Sequence, residues 1–220
     1  MIGLNPFRLA YSTVNIPSLF EAESMIGDAE NLNPGPWVAH SRFVAQAARL
    51  IAAEHPCLDS EAAAILGLLH DIGRREGMKG MRHVLDGYRF LLIHGFEDAA
   101  RISLTHSYPT KIAAEGSSMW DGTREEFNFV QAYLDQIEYT PYDRLIQLCD
   151  SLAFPGSFCL LEQRLVDVVM RYGFNEFTLP KWRAFFQIKK DFEQEIGGSI
   201  YSLLPGVVPD SIQKDSEVRR

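Results

Sequence analysis

The 220-residue chain has only three cysteines, Cys57, Cys149 and Cys159, in apolar surroundings and with no CxxC pair. That excludes a disulfide framework and a zinc-thiolate knot, and free thiols in a reducing cytosol are the expected state. Long apolar runs are missing as well. Nothing approaches the ~18 consecutive apolar residues of a membrane span, and MIGLNPFRLAYSTVN has no basic region leading into a long apolar one. The expected location is therefore the cytoplasm, with no membrane partner. Positive charge is scarce: 21 Lys and Arg against 29 Asp and Glu leave a net charge of −8. Without a basic face to displace counterions from phosphates, general nucleic-acid binding is excluded. A small phosphorylated ligand is still admitted, because a local cation or metal can outweigh the global charge. Internal repeats, heptads and convincing strand alternation are also lacking, which predicts an all-α fold and leaves oligomerisation open.

What the chain does have is enough apolar sequence, 46% against 23% charged residues, for one well-buried core. Residues 1–35 read as an irregular arm with a short helix near 20–29. PGPW at 34–37 starts the first strong helix, on which His40, Val44, Ala47 and Ile51 share a face until His55-Pro56 ends it. Asp59 caps SEAAAILGLLHD, which stops at Gly73. Helical spacing continues over 81–94 and from Glu97 to His106, then over 124–138, 141–153 with Thr140 and Asp143 as a capping pair, 158–172 and 181–196. The segment SYPTKIAAEGSSMWDGT between them is loop-like and follows His106 directly, so it is placed to form a pocket rim. The chain closes in a polar tail over 205–220.

Histidine is rare, six in all, yet four of the six fall in an ordered set with two aspartates: His40, His70-Asp71, His83, His106 and Asp150. These come from separate helices, and together they suffice to bind two metal ions. Imidazole and carboxylate without thiolate select borderline or hard divalent ions, and the histidine share favours Fe or Mn, with Zn, Ni, Co and Mg also compatible. Two ions ~3.5 to 4 Å apart need a bridge, and Asp71 can offer one oxygen to each while His70 binds a single ion.

The early histidine His40, the apolar helix ending in LLHDIGR at 68–74 and the late helical aspartate in DRLIQLCDSLA at 143–153 resemble the HD-domain superfamily of metal-dependent phosphohydrolases. HVLDG at 83–87 and LTHS at 104–107 resemble the two further histidines of its dinuclear members. The resemblance implies a metal-binding helical core over 36–155, with helices over 156–204 packed on it. It implies one ion held by His40, His70, Asp71 and Asp150 and another by Asp71, His83 and His106, with a bridging hydroxide that attacks a small phosphomonoester or phosphodiester in line. The substrate class is then a phosphorylated metabolite or nucleotide. Arg74, where the family often has Lys or Arg, is the first candidate to hold phosphate charge. Lys111 in the rim loop is the second, and Arg75 and Arg144 are weaker.

Competing assignments keep the same residues. A mononuclear nucleotidase would use His40, His70, Asp71 and Asp150 alone, and a di-iron oxygenase would use all six, since chemistry follows metal and pocket and not fold. A non-catalytic binding module would be expected to have lost ligands. His106 is followed by Ser107 with no second histidine and no GYP triplet, which argues against a cyclic-dinucleotide phosphodiesterase. Within the set, His94 rivals His83 on the same helix. Gly87, one turn after His83, favours His83 because it lets another backbone approach, leaving His94 to cap its helix. His55 reads as solvated. Of the tryptophans, Trp37 and Trp182 read as core and only Trp120, in the loop, as a ligand contact.

Overall fold

The computed structural model describes residues 14–77 and 80–207. The first thirteen residues of the arm and the tail from 208 onward lie outside that range. Nine α-helices are present among the described residues: α1 (Leu19–Leu32), α2 (Pro36–Glu54), α3 (Ser60–Leu69), α4 (His83–Ile93), α5 (Glu97–Thr105), α6 (Arg124–Gln136), α7 (Pro141–Asp150), α8 (Leu161–Tyr172) and α9 (Thr178–Ile196). The predicted all-α architecture is what forms. None of these helices is long and apolar enough to cross a membrane.

Local chemistry sets most of the helix ends. Ser18 with Glu21, Thr123 with Glu126 and Thr140 with Asp143 form reciprocal capping boxes at α1, α6 and α7, and the Asp59 carboxylate accepts from Ala62 N at 2.8 Å to start α3. Proline stands in the first turn of α2 and of α7, where its missing N–H costs nothing.

Several boundaries differ from expectation. The short helix expected near 20–29 is present but longer, the 14-residue α1, because Ala22, Ile26 and Ala29 line up on one face and bury it. Helix α4 starts at His83 and not at Met81. Helix α7 stops at Asp150, since Ala153–Phe154 pairs antiparallel with Ser157–Phe158 in a hairpin, β1 and β2. Two-residue strands carry no readable alternation, so the hairpin was invisible to periodicity. It also delays α8 to Leu161. Helix α9 begins at Thr178, three residues early, because Pro180 falls in its first turn and is tolerated there.

The core is one large apolar cluster drawn from α1 to α5 and α7 to α9, with a smaller one of Met81, Val84, Leu85, Leu104, Tyr108, Ala113, Val130 and Leu134 under α4, α5 and α6. Two close backbone contacts set the geometry between helices. A Cβ on Gly67 would lie 2.9 Å from Ala45 Cα, so α2 and α3 cross at glycine distance. After α3 the chain makes a 3₁₀ turn, Ile72–Glu76, in which a Cβ on Gly73 would lie 2.0 Å from the His83 carbonyl oxygen and 2.4 Å from Gly87 N. The absence of side chains at Gly73 and Gly87 therefore seats the start of α4 directly against the His70-Asp71 corner.

Candidate metal centre

All six residues of the ordered set converge. His40, in the second turn of α2, places Nε2 2.9 Å from Oδ1 of Asp150, the last residue of α7. His70 follows the last turn of α3, fully buried, with Nε2 3.9 Å from both Asp71 Oδ2 and Asp150 Oδ1. His83 opens α4 with Nε2 3.0 Å from Asp71 Oδ1, and His106, just past α5, has Nε2 3.7 Å from that same oxygen. Asp71 thus sits in the middle, one oxygen toward His70 and the other toward His83 and His106.

One device orients three of the four imidazoles. His70, His83 and His106 each donate Nδ1–H to the carbonyl three residues back, that of Gly67 (2.7 Å), Gly80 (2.7 Å) and Ser103 (2.9 Å). A carbonyl can only accept, so Nδ1 carries the proton and Nε2 presents a bare lone pair to the centre. The Gly80 carbonyl is itself held in place, because Asp121 accepts from Gly80 N at 2.6 Å and Arg82 N at 2.9 Å. That role for Asp121 had no sequence signal, lying 38 residues from His83 in a loop.

Electrostatics agree with this arrangement. Burial lowers the pKa of His70, and it lowers that of His106 to about 3, so both rings are neutral near pH 7. Burial would raise the Asp71 carboxyl, but the Arg74 guanidinium and then His83 and His70 outweigh it and hold the group well below the usual carboxylate range. Asp150 is likewise driven down against burial by its hydrogen bond to His40 and by the neighbouring imidazoles.

The donor set fits divalent metal. His70 Nε2 and Asp71 Oδ1 are buried with no aligned hydrogen-bond partner, a cost of roughly 1–3 kcal/mol per group unless something else satisfies them. Ligand atoms of His40, His70 and Asp150 lie within 4.8 Å of one another, as do those of His70, Asp71 and His106. His83 joins neither trio, but its 3.0 Å approach to Asp71 places it beside the second.

His40, Asp71, His83, His106 and Asp150 form the floor of a cavity of about 480 Å³, with His70 buried beneath it. Arg74 lines it, with Nε donating to Asp71 Oδ2 at 2.6 Å and a terminal nitrogen 3.5 Å from His83 Nε2. Ser107 and residues 115–118 supply part of the rim, as the loop's position after His106 predicts.

Other expectations need correction. Lys111 does not face the cavity: its backbone is left-handed (φ 64°), and Nζ turns out to the Ile137 carbonyl at 2.6 Å and toward Glu138. Lys181, from α9, occupies the cavity wall instead, together with Arg164 and Arg171 of α8. Its one sequence signal is a lysine on the buried face formed by Thr178, Phe185, Ile188 and Phe192. Arg75 stacks on Phe90 and Arg144 donates to the Pro109 carbonyl, both away from the cavity. Trp120 packs on Phe127 and donates to the Thr123 carbonyl, away from the cavity, whereas Trp37 and Trp182 do pack in the core as read and also border the cavity. His55 is not solvated but buried against Phe192 and paired with Glu195 of α9. His94 is exposed and bonds the Phe90 carbonyl, away from the site, as a helix-capping histidine should.

The sequence pattern of the HD domain matches residues 37–154, more than half of the chain and the stretch that carries all six residues. No curated protein and no solved structure matches the chain. With the histidine–aspartate corner, its flanking ligands and that match in agreement, the chain belongs to the HD-domain family, whose superfamily is one of metal-dependent phosphohydrolases.

Proposed function

We propose that the protein is a dinuclear phosphohydrolase that cleaves a small phosphomonoester or phosphodiester, a nucleotide or similar phosphorylated metabolite. The observation that carries this reading is the cavity itself: its floor is the His/Asp cluster, and its walls carry Arg74, Arg164, Arg171 and Lys181 in a chain of net charge −8. Four carboxylates, Asp71, Asp150, Glu115 and Asp167, line the same cavity, so with divalent ions on the floor the site would be net positive and suited to an anionic substrate.

His40, His70, Asp71 and Asp150 would hold one divalent ion and Asp71, His83 and His106 the other, with Fe or Mn best suited to the imidazole-rich set. Bound metal supplies a hydroxide nucleophile at neutral pH and polarises the phosphoryl oxygens. The chain's own residues do the rest. The Nδ1 protons of His70, His83 and His106 stay on backbone carbonyls, which fixes the rings and keeps Nε2 free. Arg74 spends Nε on Asp71 and has one terminal nitrogen beside His83, which leaves the other for a phosphate oxygen as charge develops on it. Buried Leu165 and Phe185 line the cavity and shield that chemistry from bulk water.

The test is phosphate release from a panel of phosphoesters by protein loaded with Mn or, without oxygen, with Fe. Turnover that falls at least about 10²-fold in Asp71→Ala, with bound metal lost in parallel, is expected. Absence of turnover on every ester, with oxygen uptake by the iron form, would replace this reading with the oxygenase one.

A further inference from the structure

Four cations line the cavity, and three already have carboxylate partners. Arg74 Nε lies 2.6 Å from Asp71, while Arg164 and Arg171 share Asp167 at 3.2 and 2.5 Å. Lys181 differs. Its Nζ donates to the Ser107 carbonyl (3.0 Å), the Glu115 carbonyl (3.1 Å) and the Ser117 hydroxyl (3.3 Å), and it has no ion pair among the described residues. The three contacts match the three protons of the ammonium form, two of them to carbonyls that can only accept. The Glu115 carboxylate does not neutralise it by contact, being turned to Thr110 N at 2.9 Å and Thr110 Oγ1 at 2.6 Å. A positive charge is therefore held at the cavity wall by neutral acceptors alone, where burial works against it and only the more distant Glu115 and Asp150 carboxylates offset that cost.

We infer that Lys181 and the Ser117 hydroxyl form an oxyanion subsite that takes a phosphate oxygen of the substrate. The bond to Ser117 is the longest of the three, and a hydroxyl can rotate from acceptor to donor, so a ligand oxygen would receive both the ammonium and the hydroxyl proton while the two carbonyls keep the ammonium in place. Lys181 and Ser117 both line the cavity that holds the metal cluster, but Lys181 lies beyond residue 154, where the HD-domain match ends. The subsite rests on the phosphohydrolase reading only for the identity of the substrate, since binding of inorganic phosphate tests it directly.

The experiment compares metal-loaded wild type with Lys181→Gln, Lys181→Arg and Ser117→Ala. Glutamine keeps two donors for the carbonyls and removes the charge. Bound metal and melting temperature are measured first, then phosphate binding by calorimetry, then KM and kcat on any ester the wild type turns over. Lys181→Gln is expected to retain its metal and to weaken phosphate binding about 10- to 100-fold, the loss of one charge-assisted hydrogen bond, with KM rising in step and kcat changing less. Lys181→Arg should recover most of the affinity, and Ser117→Ala should lose about 3-fold, the smaller share of a neutral hydroxyl. Wild-type phosphate affinity in Lys181→Gln overturns the subsite. If Lys181→Gln does not fold, unchanged phosphate affinity in Ser117→Ala overturns it. Phosphate binding that depends on Lys181 in a protein that hydrolyses no ester would sink the hydrolase reading and leave the subsite standing.

Discussion

The floor and the wall of the cavity are built differently. The floor comes from α2, α3, α4, α5 and α7, where backbones approach so closely that Gly67, Gly73 and Gly87 have no room for a side chain. The wall comes from α8, the turn after it and the start of α9. Helix α8 buries only Leu161 and Leu165, while Met170 is 81% exposed and Val166, Tyr172 and Phe174 are largely exposed too. The family match covers the floor and stops before the wall. The difference separates two jobs. The six candidate ligands stand where packing leaves no alternative, and the wall has fewer buried apolar contacts to constrain it.

A methyl group placed in each region breaks or sharpens that contrast most strongly. Gly73→Ala puts Cβ 2.0 Å from one backbone atom and 2.4 Å from another, so α4 must move. A loss of about 3 kcal/mol in denaturant unfolding is expected, with reduced metal binding by His83. Gly156→Ala, in the hairpin turn beside the wall, meets nothing within 4 Å and should change stability by less than about 0.5 kcal/mol. Equal effects at the two sites would dissolve the distinction. Next in size is Asp121→Ala. It removes the acceptor for Gly80 N and Arg82 N, and so frees the carbonyl that orients His83. Metal affinity measured by competition with a chelator should fall about 10- to 100-fold, as for other groups that orient ligands from behind.

Acid should separate the regions as well. The folded-state pKa of His106 is depressed by burial to about 3, against an ordinary value near 6.5, and that of His70 is depressed by the same cause. The unfolded chain therefore binds more protons below pH 6.5. The stabilising contribution is fully present above that value and is lost as pH falls toward 3, by up to about 1.4 kcal/mol per pH unit for each such ring. Urea midpoints of metal-free protein at pH 7 and pH 5 check this, and replacing His106 with Gln should flatten the dependence.

How far the sequence could be read follows the same division. His70-Asp71 and Asp150 were legible because each ends a helix inside a local motif, and His40 because its helix has a clear apolar face. The choice of His83 over His94 turns on Gly87, where a Cβ would lie 2.1 Å from Ser103 Oγ and 3.1 Å from Gly73 N, which is the physical reason that glycine stands there. The wall was misread. Lys111 follows His106 by only five residues, but its left-handed backbone and the Ile137 carbonyl carry it outward. Lys181 arrives from 75 residues away by tertiary packing of α9, which no local pattern encodes. Trp37 and Trp182 look like core by spacing and differ from core only in having a cavity beside them.

The central claim, that one floor holds two metal ions through a shared Asp71, is tested most directly by calorimetric titration of metal-free protein with Mn, comparing wild type with the double variant His83→Ala/His106→Ala. Two ions per chain are expected in the wild type and one in the variant, held by His40, His70, Asp71 and Asp150. One ion in both proteins would contradict it and make the centre mononuclear.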